Sequence, residues 1–139
     1  MSYGAFAKKA SRYREAEVLT ASPARLVVFV YEHLLVNLRR ARLVVDDTGE
    51  STRSESLERA RAALAELLVT LDKEKGGELA ARLASIYIFM LGELAVLGVK
   101  PNAGRLDAII ALVGELHEAF VQVAQSGATT PANAVAAVS

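Results

Sequence analysis

The sequence predicts an all-α fold: an antiparallel up-down four-helix bundle with a short N-terminal helical segment and a disordered C-terminal tail. Three observations predict it. Apolar residues recur at i, i+3, i+4 and i+7 over long stretches, and no segment sustains strict alternation. The only prolines, Pro23, Pro101 and Pro131, stand at or beyond the edges of those stretches. Four stretches of about 20 residues are joined by short linkers, which makes successive helices antiparallel neighbours.

Residues 1–20 form the N-terminal segment. Tyr3, Phe6, Ala10 and Tyr13 share one face of a helix, and the remainder is polar or basic. Ser22 and Pro23 then open the first long helix. Serine accepts hydrogen bonds from free amides of the first turn, and proline loses nothing where the amide has no helical partner. This helix is expected to reach about Val45, where Asp46, Asp47, Thr48 and Gly49 break it. Thr52 and Glu55 fit a capping box that starts the second helix. Its core stripe is Leu57, Ala60, Leu64, Leu67, Leu68 and Leu71, with Glu55 and Arg59 paired on the other side. Gly76 and Gly77 are expected to interrupt or end it near Lys75.

The third helix is expected from about Glu78 to Leu97, with Leu79, Leu83, Ile86, Tyr87, Met90, Leu94 and Leu97 inward. Gly98 stands where a helix C-cap glycine belongs, and Pro101 follows it. Asn102 caps a fourth helix from about Ala103 to Gln125, with Leu106, Ile109, Ile110, Val113, Leu116, Phe120 and Val123 as its stripe. The chain therefore divides into a segment 1–20, a bundle domain 21–125 and a tail 126–139 with little to anchor it.

Composition excludes several functions. There is no cysteine, so disulfides, thiolate metal sites and cysteine nucleophiles are excluded. Lysine plus arginine equals aspartate plus glutamate, at 16 each, so no global field draws nucleic acid or anionic lipid. Arg39, Arg40 and Arg42 are the densest basic cluster and lack neighbouring aromatics. Apolar runs such as 26–31 and 86–91 are six residues long, too short to span a bilayer, and no signal peptide pattern opens the chain. A cytoplasmic location follows as the expectation. His33 and His117 lack metal-site spacing, and no phosphate loop or nucleophile elbow is present. The expectation is a protein that is not an enzyme and needs no cofactor or metal.

One property is out of line: 53% of the residues are hydrophobic, more than a soluble domain usually carries. A bundle helix needs one apolar stripe. Residues 26–31, 86–91 and 109–113 are instead apolar around the circumference. Three covers fit the pattern, and spacing alone does not separate them: a second copy of the chain, simple deep burial of the helix, or a partner's amphipathic helix in a groove.

Specific residues carry a family resemblance. The run Tyr13 to Pro23, with its Thr20-Ala21-Ser22-Pro23 step, followed by Leu26 and Tyr31, resembles the entry segment of the flagellar secretion chaperone (FliS) family. Leu71 to Ala80, then Leu83, residues 86–90 and Leu94, form a second block; Leu106 to Glu115 with Phe120 forms a third. The blocks keep family order over residues 10–123. Ile88 departs from the acidic or polar residue usual between the two aromatics, here Tyr87 and Phe89, and Phe120 replaces a common tryptophan.

The resemblance implies a four-helix chaperone that binds the disordered C-terminal segment of flagellin, prevents premature polymerisation and assists flagellar type III secretion. Other flagellar export or regulatory proteins are further candidate partners. The residues expected at the partner surface are Tyr13, Leu26, Phe29, Val30, Ile86, Phe89, Met90, Leu94, Ile109 and Val113. Tyr3, Phe6 and Tyr13 are expected to act as a lid over a groove. The alternative is a helical homodimeric adaptor with no flagellin client.

Overall fold

The structure, a computed structural model, describes residues 22–46 and 50–126. They form four helices and no strand: α1 (Pro23–Leu43), α2 (Glu50–Val69), α3 (Lys73–Val99) and α4 (Ala103–Ser126). The expected lid residues Tyr3, Phe6 and Tyr13 and the tail from residue 127 lie outside the described residues.

Local signals set most helix ends. The Ser22 hydroxyl accepts from the Arg25 amide at 3.2 Å, and Pro23 occupies the first turn. Arg40 and Arg42 lie in the last turn of α1, where a cation meets the negative end of the helix dipole. The Asn102 side chain accepts from the Arg105 amide at 2.9 Å and opens α4 as expected. Glu55 and Arg59 form the expected surface pair at 2.7 Å.

Three sequence expectations are corrected. Helix α2 begins at Glu50, so Thr52 to Glu55 lies inside the helix and is no capping box. The same helix ends at Val69, well before Lys75, and Asp72 caps a new turn by accepting from the Lys75 amide at 3.0 Å. Apolar spacing continued through Leu71, but a carboxylate that satisfies a free amide outweighs it. Gly98 is an ordinary helical residue; α3 continues to Val99, where the Lys100 amide still donates to the Val96 carbonyl at 2.8 Å. The left-handed glycine is Gly77, at φ 53° and ψ −130°, which breaks α3 after its first turn. Residues with a Cβ avoid this region.

The four helices form a ring. Helix α1 packs on α2 and α4, α2 also packs on α3, and α3 meets α4 only sparingly. Neighbours run antiparallel. Arg42 near the end of α1 reaches Asp107 near the start of α4 at 2.8 Å, while Tyr31 near the start of α1 stacks on Phe120 near the end of α4, with centroids 5.3 Å apart.

One continuous core fills the ring, and its largest members include Tyr31, Tyr87, Leu34, Leu38, Leu64, Leu67 and Met90. The hydroxyls of Tyr31 (α1) and Tyr87 (α3) meet at 2.5 Å across the diagonal. One hydroxyl donates to the other, which offsets part of the cost of burying the pair. Burial drives both phenols upward in pKa, Tyr87 to about 12, so both stay neutral at physiological pH.

By length and composition α3 is apolar enough to cross a membrane, although its uninterrupted apolar runs are short. Its inward residues, Leu83, Tyr87, Met90, Leu94 and Leu97, belong to the bundle core. What remains of its hydrophobicity points outward.

Candidate functional site: the outward face of α3

The surplus apolar surface is divided unequally. The run in α1 is largely absorbed: Val27, Val28, Phe29 and Tyr31 are buried, with Leu26 and Val30 half-buried. The run in α4 buries Ile109 and Val113 and half-buries Ile110 and Leu112. The run in α3 stays outside, with Ile88 59% and Phe89 58% exposed. Position in the ring explains the difference. Helix α1 is flanked closely on two sides, whereas α3 has close support only from α2.

Ile88 and Phe89 continue into a stripe. Ser85, Ile88, Phe89, Gly92, Val96 and Val99 are all exposed and follow the i, i+3, i+4, i+7 spacing. Between Arg82 and Lys100 the helix has one charged residue, Glu93. That carboxylate is held by the Arg105 guanidinium of α4 through bonds of 2.5 and 3.1 Å, so its charge is spent on the α3–α4 seam. The stripe is left uncharged over four turns. A Cβ on Gly92 would meet nothing within 4 Å among the described residues, so none of them requires glycine there. Beside the stripe, a groove of about 260 Å³ runs between α2 and α3, with Leu57, Leu94, Ala95, Gly98 and Val99 in its walls.

The expected partner residues fall into three groups. Phe89 lies on the stripe, and Ile86 is half-buried at its edge. Leu26, Phe29 and Val30 gather at a second cleft of about 260 Å³, closed on the α2 side by Glu66, Leu67 and Thr70. Met90, Leu94, Ile109 and Val113 are core residues and present almost no surface in the closed bundle. They belong to runs whose inward and outward members spacing alone does not separate; the ring order separates them. Tyr13 lies outside the described residues.

Sequence reasoning left Ile88, Val96 and Val99 off the partner surface. The signal for them was present: on an ordinary surface helix the outward positions carry charge, and here they carry none. Among the described residues, no group of three or more His, Asp or Glu side chains is placed to hold a metal ion.

Comparison with known proteins decides the family. The profile of the family described as "Flagellar protein FliS" matches residues 6–127. The chain belongs to the FliS family. Similar members include the flagellar secretion chaperone FliS of Campylobacter jejuni, 30% identical over 111 residues, which covers 80% of this chain and 87% of that one. FliS of Salmonella typhimurium is 29% identical over 110 residues, 78% of this chain and 82% of that one. FliS of Bacillus subtilis is 27% identical over 114 residues. Family membership makes this an export-chaperone bundle, a role that fits a helix whose outward face is apolar and uncharged.

Proposed function

We propose that this FliS-family chain binds the disordered C-terminal segment of flagellin in the cytoplasm, keeps it from polymerising and assists its flagellar type III secretion. It does so by binding alone, with no catalytic step. The observation that carries the reading is the stripe from Ser85 to Val99, apolar and uncharged on a helix whose inward face already fills the core. A guest segment that folds into an amphipathic helix gains by laying its own apolar face on the stripe. The groove beside Ala95 and Gly98 and the cleft at Leu26, Phe29 and Val30 offer further contacts to a chain long enough to wrap the bundle.

Folding on binding costs the guest a few kcal/mol in ordering, offset by burial of about 1,000–3,000 Å². Titration calorimetry with a flagellin C-terminal peptide at several temperatures tests this. The expected result is saturable binding with a clearly negative heat-capacity change. A flat heat capacity, or no binding, overturns the reading.

The competing reading is a permanent homodimer through the same face. The stripe is apolar and uncharged along its length, so a second copy packed antiparallel about a two-fold axis near Gly92 would cover it as well. Light scattering over a dilution series separates the two. A dimer that persists on dilution and ignores the flagellin peptide favours the homodimer.

A further inference from the structure

The apolar face of α3 is not smooth. Gly92 stands in its middle, three residues after Phe89 and four before Val96, so a bulky side chain lies one turn away in each direction. Ile88 and Phe89 rise on one side and Val96 on the other, all exposed. Gly92 carries no side chain, so between them the face dips to bare backbone. Ala95, the next residue along, is exposed as well and forms part of the wall of the groove between α2 and α3. The low ground therefore continues from Gly92 toward that groove.

Glycine is a costly residue at this place. In the interior of a helix it loses more backbone freedom on folding than alanine does, and α3 would be more stable with alanine there. Neither of the usual structural reasons for glycine applies. The left-handed glycine among the described residues is Gly77, so Gly92 has a backbone that any residue adopts. A Cβ on Gly92 would touch none of the described residues. Gly98 lies one residue from the end of α3, and Gly114 is half-buried on α4. Gly92 combines a mid-helix position with exposure among large apolar side chains.

We infer that Gly92 is a notch that seats one large apolar side chain of the guest and so fixes where the guest helix sits along α3. This rests on the reading of α3 as the guest surface. When helices pack side by side, a side chain of one enters a hole between four residues of the other, at i, i+3, i+4 and i+7. Ile88, Leu91, Gly92 and Ala95 have that spacing, and all four are apolar. The missing side chain makes this hole deeper than its neighbours along the helix, deep enough for a leucine or an aromatic ring. It contains no charge, so a charged guest residue would be buried there without a partner. A single well-packed anchor of this kind carries a large share of the binding energy of an interface.

The test uses the full chain and two kinds of probe. One is the flagellin C-terminal peptide. The other is a pair of hydrocarbon-stapled amphipathic helices that differ only at the central seam residue, leucine in one and alanine in its twin. Gly92→Leu adds apolar surface and a good helix former, so a merely greasy face would bind more tightly. The notch predicts the opposite sign: flagellin-peptide affinity falls at least about tenfold while the melting temperature holds or rises. Gly92→Ala should raise the melting temperature and weaken binding by a smaller factor. Gly114→Ala should raise the melting temperature and leave binding unchanged. The wild type should prefer the leucine-centred helix to its twin by at least about fivefold, and Gly92→Leu should abolish that preference. Equal or tighter flagellin-peptide binding by Gly92→Leu overturns the inference. So does a preference between the stapled helices that survives in Gly92→Leu, or weakening by Gly114→Ala equal to that by Gly92→Ala, which would assign the effect to helix stiffness. If the wild type binds neither probe, and light scattering shows a self-association that Gly92→Leu abolishes, the notch belongs to a second copy and the inference falls. If the flagellin peptide alone fails to bind while the stapled helices behave as described, the flagellin reading falls and the notch stands.

Discussion

Truncating the two most prominent side chains of the α3 face separates binding from folding. Fully burying a large apolar side chain is worth about 1.5–3 kcal/mol. Ile88 and Phe89 are 59% and 58% exposed, so a guest that covers them gains somewhat more than half of that at each position. Together they contribute about 2–3 kcal/mol to binding, or roughly 30- to 150-fold in Kd. The folded monomer gains little from the same groups, because most of each side chain is already in water. The double variant Ile88→Ala/Phe89→Ala is therefore expected to weaken flagellin-peptide binding by that factor. Its melting temperature should move by no more than a few degrees, since alanine also favours the helix. Titration calorimetry and a circular-dichroism melt measure the two effects on one preparation. A Kd within threefold of the parent protein would refute the placement of the guest on α3. A large drop in melting temperature would refute the view that these residues are free of the core.

Other outcomes follow from the core and the turns. Tyr31→Phe or Tyr87→Phe leaves one buried hydroxyl without its partner and should cost about 1–3 kcal/mol, while the double phenylalanine variant should cost less than the sum; additive losses in urea melts would show that the hydroxyls are not coupled. Because burial raises both phenol pKa values, the folded state holds its protons more tightly than the unfolded state. The phenols' contribution to stability should be level below about pH 10 and then fall by about 1.4 kcal/mol per pH unit for each of the two, for Tyr87 up to about pH 12, as urea melts at alkaline pH can read. Gly77→Ala should cost about 1–2 kcal/mol from backbone strain alone, since a Cβ there meets nothing within 4 Å; an unchanged urea midpoint would mean the kink relaxes freely. Deleting residues 2–12 tests the proposed lid of Tyr3, Phe6 and Tyr13: client affinity or self-association should rise, and no change in either removes the lid.

Much of the helix plan was legible because it rests on short-range chemistry. Ser22 and Asn102 cap the helices they were expected to cap, since one side-chain oxygen within three residues of a free amide suffices. Where two local signals competed, reading failed. The leucine spacing of α2 ran on through Leu71, and only the observed Asp72 cap shows where the chain chose to restart. Gly77 and Gly98 are the same residue type beside helical sequence, yet one is left-handed and the other helical, because each conformation depends on which amide and carbonyl lie within reach.

The sequence by itself determined that four apolar-striped helices would form, that they would carry more hydrophobic surface than a small bundle hides, and, through its motif blocks, which family they belong to. Tertiary structure decided where that surplus went. Val28 and Ile88 sit in equally apolar runs, yet one is fully buried and the other mostly exposed, because α1 is flanked closely on both sides and α3 is supported mainly by α2. Periodicity gives each helix its angular pattern; which arc of that pattern meets a neighbour is set only when the helices are placed around one another.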